Sequence, residues 1–280
     1  MDIYEELVRI RRQGGKAALA TIVTTSGSIP SHAAAKMLVR EDGTLVGTIG
    51  GGCVEAQVIT GARKVMDLEK PEMFEFSLTQ DPSMDSGLVC GGTLSVFVEP
   101  IVADPVLYVF GAGHVGLYTC RVARLAGFQV VIIDDRASFA NPDRFPEASA
   151  VLADDWDKSM ASLDPGDRSY IMIATRGHRE DLRVLRWALT TRARYVGMIG
   201  SRRKVLTLAK TLQKEGVSQA SLAALHAPIG LDIGATTPEE IAVAVVAELI
   251  AVRRQAALTP LRFPRMIPET PAAAGHALQP

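Results

Sequence analysis

Apolar and polar positions along this chain change period several times, and each change predicts an element. Residues 3–13 place Ile3, Leu7 and Ile10 at helical spacing before Gly14-Gly15 stops the run, which predicts an opening helix. Three β-branched segments follow at 18–27, 35–42 and 44–52, and Asp42-Gly43 between the last two predicts a hairpin turn. Behind Gly50-Gly51-Gly52 the period becomes helical, with Val54, Val58, Val65 and Leu68 on one stripe over 53–69. Segments 72–80 and 93–100 alternate again and return the chain to the sheet.

Asp104-Pro105 marks a joint, because proline restricts its predecessor and removes a backbone donor. Beyond it, strands expected at 106–110, 128–134, 148–153, 169–175 and 194–200 alternate with helical stretches such as 117–127, 180–190 and 202–216. That alternation is the mark of a parallel, doubly wound sheet built from right-handed crossovers. The fold class expected is therefore α/β: a small mixed α/β domain over 1–103 and a Rossmann-like domain over 104–255. Thr237-Pro238-Glu239-Glu240 forms a capping box with proline at the first helical position, so a helix should run from 238 to about 254. The remainder, 256–280, is rich in proline and alanine and reads as a flexible tail or a strap that docks on a partner.

Composition narrows the function classes. With 30 basic and 31 acidic residues in 280 and a net charge of −1, the chain lacks the electrostatic footprint expected of a nucleic-acid or anionic-membrane binder. Its first residues interleave acids and bases, unlike a secretory signal, and its longest apolar stretch, 241–252, carries Glu248 and falls short of the ~20 residues a membrane span needs. Three widely spaced cysteines form no disulfide framework, which fits a reducing compartment, and a cytoplasmic location is expected.

Candidate chemistry gathers at the ends of the expected strands. Gly111, Gly113 and Gly116 form G-x-G-x-x-G between a strand and a helix: one glycine for the turn, one for close backbone approach to a phosphate, one for helix–sheet packing. In an open parallel sheet ligands bind at the carboxyl ends of the strands. There stand His114, then Asp134, Asp135 and Arg136, then Thr175, Arg176, His178 and Arg179, then Gly200, Ser201, Arg202, Arg203 and Lys204. Such a rim suits a phosphate-bearing anion, with Asp134 placed to accept from a ribose diol and Arg136 to take an extra phosphate. No H-E-x-x-H, no P-C-x-x-C and no Walker loop occurs. Cys120 reads as inert core, whereas Cys53 and Cys90, beside glycines, are either soft metal ligands, reactive thiols or plain packing.

These residues together resemble the XdhC/CoxI family of accessory proteins that mature molybdenum hydroxylases. The resemblance rests on SGSIP, AKMLV, DGTLVGTIGGGCVEAQV and GLVCGG in the first half, and on VFGAGHVG, VVIIDDR, ATRGHREDL, YVGMIGSRRK and PIGLDIGATTPEEIAVAVVAELI in the second. It departs at Ser31-His32-Ala33-Ala34, where family members often carry a basic residue and a glycine. The resemblance implies a chaperone that holds molybdenum cofactor (molybdopterin or its dinucleotide form), protects it during sulfuration and passes it to an apoenzyme such as xanthine dehydrogenase. It also implies contact with a cysteine desulfurase and a homodimer or larger homo-oligomer. The rim residues would then surround the cofactor's phosphate, with Cys53 and Cys90 toward the metal. Two other classes stay open: an NAD(P)-dependent oxidoreductase using His178 as acid–base group, and a regulatory module that senses nucleotides.

Overall fold

The computed structural model describes residues 2–27, 32–77 and 92–256. The first half runs α1 (Ile3–Arg12), β1 (Lys16–Gly27), β2 (Lys36–Arg40), β3 (Leu45–Gly47), α2 (Gly52–Leu68), β4 (Glu72–Ser77) and β5 (Gly92–Val102). Its five strands form one antiparallel sheet in the order β3-β2-β1-β5-β4. Strand alternation gives the sheet two apolar faces. Ala18, Ala20, Val96 and Val98 face α2, whose Val54, Val58 and Val65 are buried against them, while Ala17, Leu19 and Leu38 pack with Ile10 of α1. Each fully buried valine in that seam contributes roughly 1.5–3 kcal/mol.

Two expected features differ in the structure. Leu68 does not extend the buried stripe of α2 but is 57% exposed at the helix end. The strand expected over 44–52 stops at Gly47, because Gly47, Gly50, Gly51 and Gly52 all adopt positive φ, which lifts the chain out of the sheet and delivers it to α2.

The second half contains β6 (Val106–Phe110), α3 (His114–Leu125), β7 (Gln129–Ile133), β8 (Ala150–Leu152), α4 (Trp156–Ala161), β9 (Ser169–Ile173), α5 (His178–Ala188), β10 (Tyr195–Met198), α6 (Arg202–Lys214), α7 (Gln219–Ala223) and α8 (Pro238–Arg254). All its strands are parallel in the order β10-β9-β6-β7-β8, so the expected doubly wound sheet is present. One face packs Leu107, Val109, Val130 and Met172 against Cys120 and Ala123 of α3 and Val245, Val246 and Leu249 of α8. The other packs Phe110, Ile171, Ile173 and Met198 against Trp156, Val184, Leu185, Leu208 and Leu212. Strand order reverses between β6 and β9, and their carboxyl ends open the crevice where such sheets bind ligands. The capping box of α8 is in place: Glu240 N–H donates to Thr237 Oγ1 (3.3 Å) and Thr237 N–H to Glu240 Oε2 (3.0 Å). Helices α4 and α7 escape periodicity because each spans less than two turns. The tail expected over 256–280 lies, beyond Ala256, outside the described residues.

No helix among the described residues is long and apolar enough to cross a membrane.

Backbone strain at one residue and a buried ion pair at another bear measurably on stability. Ala34 adopts φ +70° and donates its N–H to Ile22 O at 2.9 Å. A left-handed conformation costs an L-residue roughly 1–2 kcal/mol, more than the extra chain entropy of glycine takes back. Ala34→Gly should therefore stabilise the protein by about 0.5–1 kcal/mol, read as a higher denaturant midpoint at unchanged slope; a lower midpoint refutes the strain.

Glu6, 1% exposed where α1 crosses β2, accepts from Arg9 (2.7 and 2.5 Å) and Arg40 (2.6 Å). Hydrogen bonds from Arg9 and then Arg40 hold its pKa at about 2. Because that value lies below the ordinary 4.5, the stabilisation is complete above 4.5 and is lost as pH falls toward 2. Glu6→Gln should flatten the acid limb of the stability–pH curve in that window, which titrated urea melts would show.

Candidate functional site

The glycine loop between β6 and α3 is built as its spacing demands. Gly111, at φ +124°, donates its N–H to Ile133 O at 2.8 Å, and a Cβ there would lie 2.2 Å from Ala174 O. A Cβ on Gly116 would lie 2.1 Å from Gly111 O, so α3 rests directly on the loop. Gly113 differs from both. It caps α3 with ordinary φ and no side-chain cap, and a Cβ there would meet nothing within 4 Å, which leaves first-turn amides facing open space.

Asp134 braces this loop from the end of β7. Its buried carboxylate accepts from Ala112 N–H (2.8 Å), Arg136 N–H (3.1 Å) and both Nε and Nη2 of Arg136 (2.8 Å each). Burial works to raise its pKa, but the bonds from Arg136 and Ala112 outweigh burial and hold it below the ordinary value. Arg136 in turn lies 3.8 Å above the Phe139 ring. The carboxylate offered to a ribose diol is thus committed to the loop, and Arg136 to that carboxylate. Neighbouring Asp135 holds Arg176 at 2.9 Å, drawing the end of β9 toward that of β7.

At β9 and β10 the rim separates into a buried brace and exposed groups. Thr175 Oγ1 donates to Asp181 Oδ1 at 2.8 Å, and Lys204 pairs with the same fully buried carboxylate while donating to Ile199 O at 3.1 Å. Lys204, counted in the sequence among the rim donors, therefore braces the floor instead. Asp181 was invisible as a functional residue; its only signal is its place one turn behind His178 on the core side of α5. His114, Arg176, His178, Ser201 and Arg202 are exposed, and Gly113 and Gly200 partly so. Gly177 caps α5 without a side chain, whereas Ser201 caps α6 by accepting from Lys204 N–H at 3.3 Å.

The P-I-G-L-D-I-G segment is the second piece that sequence reasoning left unplaced. Met198 N–H donates to His226 O and Ile229 N–H to Met198 O, both at 3.0 Å, so this segment runs alongside β10. Glu248 of α8 anchors it, accepting from Tyr195 Oη (2.5 Å) and Gly230 N–H (2.8 Å) with His226 Nδ1 at 2.9 Å. In the sequence, Glu248 only interrupted an apolar stretch.

Of the cysteines, Cys120 is fully buried, and burial pushes its thiol up to about 11, as an inert core residue requires. Cys53 lies in the first turn of α2, in the antiparallel half. Cys90 lies outside the described residues. Among the described residues no group of three or more His, Cys, Asp or Glu could hold a metal ion.

Comparison with known proteins matches this architecture on both sides of the joint. The family model described as the XdhC Rossmann domain matches residues 107–249, and that of the XdhC and CoxI family matches residues 10–77. The chain is 36% identical over 257 residues to the uncharacterized protein YqeB of Escherichia coli (strain K12), covering 91% of this chain but only 47% of that protein, so it spans about half the length of this relative. It is 23% identical to a protein of Bacillus subtilis (strain 168) described as a probable xanthine dehydrogenase subunit, covering 87% of this chain and 95% of the relative. It is 27% identical to the molybdenum cofactor insertion chaperone PaoD of Escherichia coli (strain K12), covering 86% and 84%. In fold it is similar to the crystal structure of a xanthine dehydrogenase from Bacillus halodurans, with TM-score 0.51, 23% identity, and 95% of this chain and 100% of that chain covered.

The loop geometry separates two glycines by experiment. Gly111→Ala should cost about 3 kcal/mol or more, since a methyl would strike the Ala174 carbonyl, whereas Gly113→Ala should cost about 1 kcal/mol or less. Equal losses in denaturant melts would contradict the assignment of Gly113 as the open position.

Proposed function

The chain belongs to the XdhC and CoxI family, and on that premise we propose that it carries molybdenum cofactor as cargo to an apo molybdenum hydroxylase of the xanthine dehydrogenase kind. The observation that carries the proposal is the unfilled space over Gly113, at the reversal of strand order, with exposed Arg176, His178 and Arg202 on the neighbouring strand ends. A phosphate seated there would meet first-turn amides of α3 and α5, both glycine-capped and free of a side-chain competitor. Arg176 and Arg202 would add charge-assisted bonds, and the nucleotide of a dinucleotide form would extend along the rim past Asp135 and Arg136. The molybdenum end of the cargo is soft and thiophilic, so Cys53 and Cys90 are the proposed contacts on that side.

Holding and release also suit the way charge is arranged. Asp134 with Arg136, and Asp181 with Lys204, each satisfy one another and stiffen the seat. The groups left exposed include the donors His178, Ser201 and Arg202, with Arg176 beside Asp135, and these would grip an anion. In this proposal the protein shields the cargo while a cysteine desulfurase supplies the terminal sulfur, acts as a homo-oligomer and hands the cofactor to the target. The support for that sequence of events is the family and its relative PaoD, a molybdenum cofactor insertion chaperone.

A second class, an NAD(P)-dependent oxidoreductase, draws on the placement of Asp134 at the end of β7. A nicotinamide dinucleotide would have to displace Arg136 from Asp134 before its ribose could bind.

Mass spectrometry of ligand co-purified from cells with intact molybdenum metabolism tests the proposal directly. Phosphate-bearing pterin with molybdenum is expected. Gly113→Val should abolish retention, and Arg176→Ala with Arg202→Ala should weaken it by tenfold or more, about 1.4 kcal/mol. Cys53→Ala with Cys90→Ala should retain pterin but lower its molybdenum content. Recovery of nicotinamide with steady redox turnover, and indifference to molybdopterin, would overturn it.

A further inference from the structure

A cavity lies at the pole of the parallel sheet opposite the glycine loop. Its volume is about 450 Å³, and it is framed by the amino ends of β6, β9 and β10, the carboxyl ends of α2 and α8, and the last residues of β5. Strands of five residues put this pole about 17 Å from the glycine loop. Six cationic side chains line it against three carboxylates. Two of those carboxylates are already engaged, Asp104 by Arg11 at 2.8 Å and Glu69 by Arg168.

The remaining arginines are poorly served by the protein. Among the described residues, the Arg194 side chain reaches only the Arg253 carbonyl, at 3.5 Å. Arg253 donates Nη1 to Ala126 O at 3.1 Å and lies over Phe128, while its Nε is buried with no hydrogen-bond partner among the described residues. Arg254, exposed, has no ion-pair partner among the described residues. Arginines in the last turn of a helix complement its carbonyl end, but a guanidinium has five N–H donors, and one carbonyl apiece leaves most of them free. Burial, and next Arg254 and then Arg168 beside it, pull the pKa of Arg253 down, so these like charges are held together against their own repulsion. An anion between them would relieve it.

We infer that this cavity is a second anion site, taking a phosphorylated small molecule of about nucleotide size by its phosphate through Arg194, Arg253 and Arg254. The volume lies in the range of small-molecule sites, and the planar arginine fork matches phosphate oxygens bidentately. Leu68, Pro100 and Val102 supply an apolar shelf for the organic part. Because the shelf and Glu69 come from the antiparallel half and Arg194 and Arg253 from the parallel half, an occupant ties the two halves together. Ligand binding to the folded state alone then raises the melting temperature.

Inorganic pyrophosphate, titrated by calorimetry at constant ionic strength and followed by thermal melting, is the probe. In a Gly113→Val background, which closes the glycine loop, one equivalent should still bind and raise the melting temperature. Arg194→Gln with Arg254→Gln should weaken that binding at least tenfold. Arg254→Gln alone, at an exposed side chain, should fold as the parent does and weaken binding several-fold. Amides at 126–129 and 252–255 should exchange more slowly with pyrophosphate present. The inference fails if Gly113→Val protein binds no pyrophosphate, if the arginine variants bind it as the parent does, or if chloride at equal ionic strength gives the same stabilisation. Failure of the glycine-loop proposal is distinguishable, since pyrophosphate binding would then ignore Gly113→Val yet still depend on Arg194 and Arg254.

Discussion

The arrangement of this protein depends on how closely two strand ends approach at Gly111. With the Ala174 carbonyl where a Cβ would be, β6 and β9 can diverge only beyond that point, and α3 can settle onto the loop only because Gly116 also lacks a side chain. Asp134 secures the junction from the third side through Ala112, so three strand ends are locked by one buried carboxylate and two missing methyl groups. The open space over Gly113 follows from that packing: the backbone is pressed forward by α3 and left uncovered.

Around this junction, charge divides by burial. Carboxylates inside the rim have cations assigned to them, Arg136 to Asp134 and Lys204 to Asp181, because an unpaired charge at that depth would be costly. Groups outside it, Arg176, His178 and Arg202, remain exposed, Arg176 beside Asp135. At the far pole the balance differs: arginines outnumber carboxylates and lean on backbone carbonyls of helix ends. One sheet therefore presents cationic groups at both ends, by different means. The carboxyl end uses helix amides and exposed side chains, and the amino end uses guanidinium groups, half-buried in Arg194 and Arg253 and exposed in Arg254.

Much of this was legible in the order of residues alone. Helix α8 was bounded by Thr237 and Glu240, since a capping box is local chemistry that needs no tertiary partner. The inner parallel strands β6, β7 and β9 announced themselves as apolar runs between helical stretches, because a strand covered on both faces has little room for polar residues. Gly111, Gly113 and Gly116 could be assigned separate roles from spacing alone. What misled was local pattern without context. Leu68 fits the stripe of α2 but falls where the helix outruns the sheet, and residues 48–52 look like strand until glycines at positive φ release them.

Elements, their order and the place of the glycine loop were determined by the sequence itself, because periodicity, capping and turn chemistry act between residues near in the chain. Only the tertiary structure decided which charges face solvent and which face each other. Lys204 turned inward to Asp181, Asp134 closed on Arg136, and Glu248 gathered Tyr195, His226 and Gly230. These pairings join residues far apart in the chain, or set a side chain's direction by what packs beneath it, and no local pattern encodes either.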